Sequence, residues 1–513
     1  MTKIVFLPLD ERPCNYDYPK QLASMTELDV VLPQREILGK KKLPAQFSNI
    51  RDWLVQETRS ADYLILSIDM LVYGGIVPSR LHHLSENEWR QALNVIREMK
   101  ENNPSLKIYA FNLIMRAPAY NNSEEEPAYY SKFGRAIYRY GWLMDKKDRE
   151  GLTKIEREEQ DKVVREVPDE ILRDFLNRRK MNAKINHMSI DLVNGGLIDF
   201  LIIPLDDNSK YGFTSKEQRT LIFNIEEKNL FDKVHIYPGA DEIGCTLLAR
   251  VFAQVNNYTP LIHARYSSTQ GPLIIPKYED RSLNESLKAH VTAIGGILTD
   301  TSISADVHLF IHSPAVGETE VAEQGPYDER HRSYFSEINI REIVHVMDYL
   351  LKENKFVALA DVATCNGSDR ALMKLMAKIK LHNRLHAYGG WNTSGNTMGT
   401  VLAHGIIGSF YFNRNLWEKV ANNSRKFYTT RIIEDWGYQA VVRQEVVKKD
   451  LPRYSANYFN INGAQKSIEA CIQERLNNFV NSELQWKDVE VSNVQLPWKR
   501  MFEVGFQVDF KNT

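Results

Sequence analysis

The chain has 513 residues, 43% hydrophobic and 26% charged, an ordinary globular balance with room for two or three domains or one large barrel. Its 65 basic and 66 acidic residues leave a formal charge of −1, so no net field draws it to nucleic acid or anionic lipid, and neither is an expected partner. No segment approaches the ~20 apolar residues of a membrane span, and Met1-Thr2-Lys3 runs into Ile4-Val5-Phe6-Leu7 without signal-peptide features, so a cytoplasmic location is expected.

Short apolar runs recur along the chain, mostly separated by amphipathic stretches, which is the pattern of alternating strands and helices. The runs are 4–9, 63–68, 108–114, 200–205, 234–237, 261–264, 307–311, 356–360 and 385–388. Few alternate with polar residues, so they read as strands of a parallel sheet covered on both faces. Residues 88–100, 283–294 and 340–352 have helical spacing. Residues 146–179 are dense in charge and read as a solvated helical pair inserted between strands, with a wet face rather than a binding surface. No sequence repeat is visible.

After about Asn422 the pattern changes to helices at 441–447 and 467–480 and a closing alternating strand at 502–510. The expected architecture is α/β: a (β/α)8-barrel-like parallel core over 1–421, divisible near 256–260, with a smaller α+β region over 422–513. Two open doubly wound sheets are the alternative, since nine strands exceed the eight of a barrel by one. In either case ligands bind at the C-terminal ends of the strands.

Those ends are polar. The first run gives Asp10-Glu11-Arg12-Pro13 and Asn15; the second Asp69, Tyr73 and Arg80; the third Arg116, with Tyr120 after it. The fourth stops at Asp206-Asp207 and the fifth at Asp241-Glu242. Adjacent carboxylates repel, which raises the pKa of one member and lets a protonated acid stand beside a charged one. The later runs supply His312, Asp361 with Asn366 and Asp369, and the loop Gly389-Gly390-Trp391-Asn392-Thr393-Ser394-Gly395-Asn396-Thr397. In that loop Trp391 offers a stacking platform and Asn392 and Asn396 offer donors and acceptors. The plainer reading is a Gly-rich turn into a helix at 398–404 capped by Asn396 or Thr397, and Asp369 reads as an N-cap. Taken together, carboxylates, amides, arginines and a flat aromatic suit a polyhydroxylated ligand.

The four cysteines (Cys14, Cys245, Cys365, Cys471) show no CxxC spacing, and the histidines show neither HxH nor HExxH, so no zinc site is expected. The Gly-Lys-Ser/Thr ending of a phosphate loop and the GxGxxG dinucleotide fingerprint are absent too. No cofactor and no resident metal are expected, although Asp10, Asp69, Asp206 or Asp241 could ligate a hard ion such as Mg²⁺ or Mn²⁺.

Leu9-Asp10-Glu11-Arg12-Pro13-Cys14-Asn15, Tyr237-Pro238-Gly239-Ala240-Asp241-Glu242 and Gly390 to Thr397 resemble a bacterial family catalogued as domain of unknown function 4127. The likeness extends over 69–80, 203–212 and 361–369. Asp206-Asp207 is also similar to the acid pair of barrel enzymes that remove N-acetylhexosamines with help from the substrate acetamido group. Gly239-Ala240-Asp241-Glu242 is similar to the Gly-Asp-Glu motif of another hexosaminidase family, with Ala240 replacing a glycine. There the Glu is the general acid and the Asp orients the acetamido group.

These features lead to a glycoside hydrolase acting on a small oligosaccharide or glycoside, with catalytic candidates Asp206, Asp207, Asp241 and Glu242. Asp207 or Glu242 would protonate the leaving oxygen, and Asp206 or Asp241 would stabilise positive charge or orient an internal nucleophile. Asp10, Arg12, Asn15, Asp69, Tyr73, Arg80, Arg116, Asp361, Asn366, Trp391, Asn392 and Asn396 are the expected substrate-binding residues. A metal-dependent lyase, hydrolase or isomerase on a polar metabolite and a non-catalytic saccharide binder are the alternatives. The expected partner is a small saccharide, and a homo-oligomer stays open.

Overall fold

A computed structural model describes residues 1–317, 323–461 and 463–511. The chain forms two compact units. The first comprises Met1–Glu11, Leu28–Gly244 and Tyr278–Arg281; the second comprises Arg12–Glu27, Cys245–Lys277 and Ser282–Thr513.

The first unit carries β1 (Lys3–Leu7), β2 (Asp29–Val31), β3 (Tyr63–Ser67), β4 (Lys107–Phe111), β5 (Phe200–Leu205) and β6 (Val234–Pro238), paired in parallel in the order β2-β1-β3-β4-β5-β6. β3 and β5 are buried along their whole length, which explains their unbroken apolar sequence. The second unit carries β7 (Leu261–Tyr266), β8 (Ile297–Leu298), β9 (Val307–His312), β10 (Val357–Asp361) and β11 (Ala387–Gly389), parallel in the order β11-β10-β9-β7-β8. β12 (Val489–Gln495) and β13 (Gly505–Phe510) form an antiparallel pair in the same unit.

The α/β class read from the sequence holds, and all nine apolar runs are strands. They divide between two sheets, as in the open-sheet alternative, and the division falls between β6 and β7, on either side of 256–260. No pairing among the described residues closes either sheet into a barrel. Three edges, β2, β8 and β11, are only two or three residues long, too short to invite another strand. β2 and β8 left no periodic signal for the same reason.

Both sheets have one winding. In each, the chain goes from a central strand to one neighbour, then returns and builds outward on the other side. The reversal lies between β1 and β3 in one sheet and between β7 and β9 in the other. At such a point the loops leave in opposite directions and open a crevice at the strand C-termini.

The charged insertion is three helices, Tyr130–Arg149, Lys154–Glu166 and Asp169–Asn194. The second is the wet helix expected, with Val163 its only buried residue. The third is not, because Arg178, Arg179, Asn182, Asn186 and Ser189 are buried along it. The loop helix expected at 398–404 is far longer, Ser394–Phe412, and is buried over nearly its full length. Asn396 and Thr397 therefore lie in its first turn rather than at its cap. Asp369 does cap the helix Arg370–Lys378, accepting from Ala371 N at 2.7 Å and Leu372 N at 3.1 Å. Among the described residues, no helix is long and apolar enough to cross a membrane.

Candidate active site

The first unit gathers Asp10, Asp69, Tyr73, Arg80, Arg116, Asp206, Asp207, Asp241 and Glu242. The second holds Arg12, Asn15, Asp361, Asn366, Trp391, Asn392 and Asn396.

In the first unit the strand register brings the charges together. β4 and β5 pair Phe111 with Ile202, and an isolated bridge continues the same offset to Ile114 and Leu205. Two residues further along, Arg116 therefore meets Asp207, and its Nη1 donates to Asp207 Oδ2 at 3.1 Å. Arg80, on the short turn Pro78–Arg80, donates from Nη2 to Asp206 Oδ2 at 2.8 Å. Each member of the acid pair thus has its own arginine.

The arginines are fixed from behind by two residues that the sequence reading missed. Glu125 Oε2 accepts from Arg80 Nη1 at 2.8 Å and from Arg116 Nη2 at 3.1 Å. Glu126 Oε1 accepts from Arg116 Nε at 2.9 Å and lies 3.4 Å from Arg80 Nη1. Tyr120 takes the second Arg116 Nη2 bond at 2.9 Å. The run Glu124-Glu125-Glu126 lies in a loop without periodicity. The available signal was chemical: each guanidinium has five N–H donors, so two arginines at strand ends have donors left over after one aspartate pair.

The buried helix Asp169–Asn194 braces these loops. Asn182 Nδ2 donates to Ser79 O at 2.9 Å, Arg178 Nε to His82 O at 2.9 Å, and Arg179 Nη1 to Arg116 O at 3.3 Å. Asn186 Nδ2 donates to Asn112 Oδ1 at 2.8 Å at the end of β4. Asp69 works in the same frame: its Oδ2 accepts from Leu113 N at 2.9 Å and Asn112 Nδ2 at 3.3 Å. Burial pushes its carboxyl up to about 7.

Protonation divides the acids. Burial lifts Asp207 to about 6 against the pull of Arg116, and the charge of Asp206 adds to the lift. Burial raises Glu242 further, to about 8, with the charges of Asp241 and Asp206 contributing. The two acid pairs, on neighbouring strands β5 and β6, therefore share one electrostatic field. Glu242 Oε2 accepts from Ala240 N at 2.9 Å. It packs so tightly on Gly239 that a Cβ there would lie 2.1 Å from Oε1. Asp207 itself has φ +46°, a positive value that aspartate adopts more readily than most side chains. Two half-buried carboxyls side by side, each ion-paired to its own arginine and one of them lifted to about 6, can perform acid/base chemistry.

The strand ends of the second unit are built differently. Ser267 follows β7, His312 ends β9, and Asp361 ends β10. His312 Nδ1 lies 2.9 Å from Ser267 Oγ, and Nε2 lies 3.5 Å from Asp369 Oδ2. Ser267 Oγ also accepts from Ser313 N at 3.1 Å. Asp369 further accepts from Tyr334 Oη and Gln324 Nε2, both at 3.0 Å, and its own N–H donates to Asp361 Oδ2 at 2.7 Å. Burial alone would lower the His312 pKa, but Asp361 and Asp369 outweigh it and raise the value. Burial acts to raise Asp369, but His312 outweighs it and holds the carboxyl well below the usual range. Ser, His and Asp are thus present, and Asp361 and Asp369 favour the charged form of His312, which is the poorer acceptor of a proton from Ser267.

The Trp391 loop is anchored from below. Asp435, on the π-helical turn Ile433–Val442, accepts from Gly390 N at 2.8 Å and pairs with Arg431 at 3.2 Å, while its own carbonyl accepts from Ser368 N at 3.1 Å. Trp391 is buried against Phe502, with centroids 5.5 Å apart, and it forms an isolated bridge with Asn366. Asn392 has φ +38° and its Oδ1 accepts from Thr393 N at 2.9 Å. Arg12 stacks 4.6 Å over Trp498. Asn15 and Asn396 are buried in the same unit.

Among the described residues, no three His, Cys, Asp or Glu side chains converge as metal ligands. No disulfide joins the four cysteines. No curated protein matches the chain, so the hexosaminidase likeness rests on its two short motifs alone. A family profile does match, over residues 4–507, and the chain belongs to the family described as Protein of unknown function (DUF4127).

Proposed function

We propose that the first unit is a glycoside hydrolase acting on a small oligosaccharide or glycoside, with N-acetylhexosamine-containing substrates the favoured class. The observation that supports this is the acid pair at the end of β5. Asp206 is ion-paired to Arg80, while Asp207 beside it is lifted to about 6. Asp207 protonates the leaving oxygen, and Asp206 stabilises the positive charge that develops at the anomeric carbon or orients the substrate's own nucleophile. Glu242, neutral at pH 7 because burial holds it near 8, keeps a third negative charge away from the pair. Arg80 and Arg116 fix the two carboxyls. A cytoplasmic enzyme of this kind would take short imported saccharides.

The test is a panel of aryl glycosides assayed with the wild-type chain and with Asp206→Asn and Asp207→Asn. Turnover that collapses in Asp207→Asn and recovers with a substrate whose leaving group needs no protonation supports the assignment. Full turnover in both variants would sink it.

A further inference from the structure

Asp207 Oδ2 lies 3.1 Å from Arg116 Nη1, and an opposite charge that close ordinarily lowers a carboxyl's pKa and takes away its proton. A general acid beside a guanidinium needs something to offset that cation. In the first unit the offset comes from the loop that carries Tyr120, Glu125 and Glu126.

Four carboxyls and two guanidiniums form one lattice. Arg116 gives Nε to Glu126 at 2.9 Å and Nη2 to Glu125 at 3.1 Å and Tyr120 at 2.9 Å, leaving Nη1 for Asp207. Arg80 divides likewise, with Nη1 on Glu125 and Nη2 on Asp206, both at 2.8 Å. The side chains of Arg80 and Glu126 are 3% and 2% exposed, so solvent and salt screen this part of the lattice little. Fully ionised, four negative charges would face two positive ones. Both arginines therefore stay paired when one carboxyl carries a proton.

The charges acting on Asp207 come from Arg116, Arg80, Asp206 and Glu125. The arginines favour its carboxylate, while burial, Asp206 and Glu125 favour its acid form. Glu126 bonds the opposite side of the Arg116 guanidinium and offsets that cation there. Tyr120 adds a bond but no charge, since a phenol is neutral at assay pH. Glu242, on the next strand, holds its own proton through neutrality.

We propose that Glu125 and Glu126 are positioning residues that neutralise Arg80 and Arg116 from behind and thereby let Asp207 keep the proton it donates. The assignment rests on the glycoside reading, in which Asp207 is the general acid. A mere brace would hold the arginines whatever its charge, whereas a neutraliser acts through its charge.

Glu126→Gln and Glu125→Gln keep the shape and an acceptor oxygen and remove the charge, and neither leaves an arginine without a carboxylate. Each should move the alkaline limb of the kcat/KM profile on an aryl glycoside to lower pH by about 0.5–1 unit, because Arg116 then draws Asp207 toward its carboxylate. Tyr120→Phe removes a bond to the same guanidinium without changing charge, and should leave the limb in place. Glu126→Asp restores the charge and should return the limb toward its wild-type position. Urea denaturation as a function of pH reads the same coupling without a substrate. Folded Asp207 holds its proton to about 6, so its contribution to stability is complete below the unfolded pKa and is lost as pH rises through 6. The stability difference between wild type and Asp207→Asn traces that loss, and in the Glu126→Gln background the same difference should end at lower pH. A limb unmoved in both glutamine variants, a limb moved equally by Tyr120→Phe, or an unmoved difference curve overturns the proposal. A chain that turns over no glycoside while its difference curve moves defeats the glycoside reading and leaves the charge coupling standing.

Discussion

In the first unit, strands wound β2-β1-β3-β4-β5-β6 end on carboxyls held by arginines; in the second, strands wound β8-β7-β9-β10-β11 end on an imidazole held by carboxyls. The same topology therefore delivers opposite electrostatics to the same place. Around Arg80 and Arg116, acids outnumber cations, and burial raises Asp207 to about 6 and Glu242 to about 8. Around His312, burial likewise raises Asp361 to about 6, but the carboxyls there are bonded by backbone N–H groups, Tyr334 and Gln324 rather than by arginines. A half-buried acid pair held by arginines is suited to chemistry. A buried cluster whose polar groups bond mainly to one another and to the backbone is suited to holding loops.

Four measurements would break or sharpen that contrast. The largest effect is expected in turnover: Asp207→Asn should lower kcat/KM by about 10²–10⁴-fold, the usual loss for a general acid. His312→Ala, measured on the same substrate, should cost less than tenfold per folded molecule. Equal losses would mean that both units carry the chemistry. Next is stability. Asp369→Ala removes a buried ion-pair partner and an N-cap together, and should destabilise by about 3–5 kcal/mol in urea denaturation, with little change in the KM of the protein that stays folded. A loss under about 1 kcal/mol would show that the His312 cluster is not a structural pin.

Third, Gly239→Ala places a methyl where Glu242 Oε1 sits, and should cost about 1–3 kcal/mol by overpacking. It should also shift the alkaline limb of the activity profile, because Glu242 must move. An unchanged profile would separate Glu242 from the acid pair. The fourth effect is a slope. Glu242 is protonated in the folded chain up to about pH 8 but ionises near its ordinary value when unfolded, so the native state holds the extra proton between those limits. Its contribution to stability is complete below the unfolded pKa and is lost as pH rises toward 8, at up to about 1.4 kcal/mol per pH unit. Glu242→Gln should flatten the stability curve over that interval, and parallel curves for variant and wild type would contradict it.

What could be read from the sequence follows the physics of each signal. Apolar runs such as Phe200 to Leu205 announce buried parallel strands, and the acids after them mark the strand ends, so Asp206, Asp207, Asp241 and Glu242 were found. Grouping was harder. A list of strands does not say which strand pairs with which, and nine strands read as a barrel-like core, with two open sheets only the alternative. The pairing that sets Arg116 against Asp207 is long-range and leaves no local pattern. Glu125 and Glu126 lie in a loop with no period, and the supporting face of helix Asp169–Asn194 is polar, so its Arg178 and Arg179 read as solvent-facing charge although they are buried. Buried polar residues break the hydrophobic code on which the reading depends.

The bridge between Ile114 and Leu205 has one further consequence. Because Arg116 and Asp207 lie just beyond paired strands, their separation is set by the backbone ladder, and a ladder moves only in whole steps: a slip of one residue would turn every side chain of the strand to the opposite face. Under the proposed function, the distance between this cation and this acid acts as a fixed gauge for the substrate. Arg80 reaches Asp206 from a turn outside the sheet, so any adaptation to ligands of different size falls to that side of the acid pair.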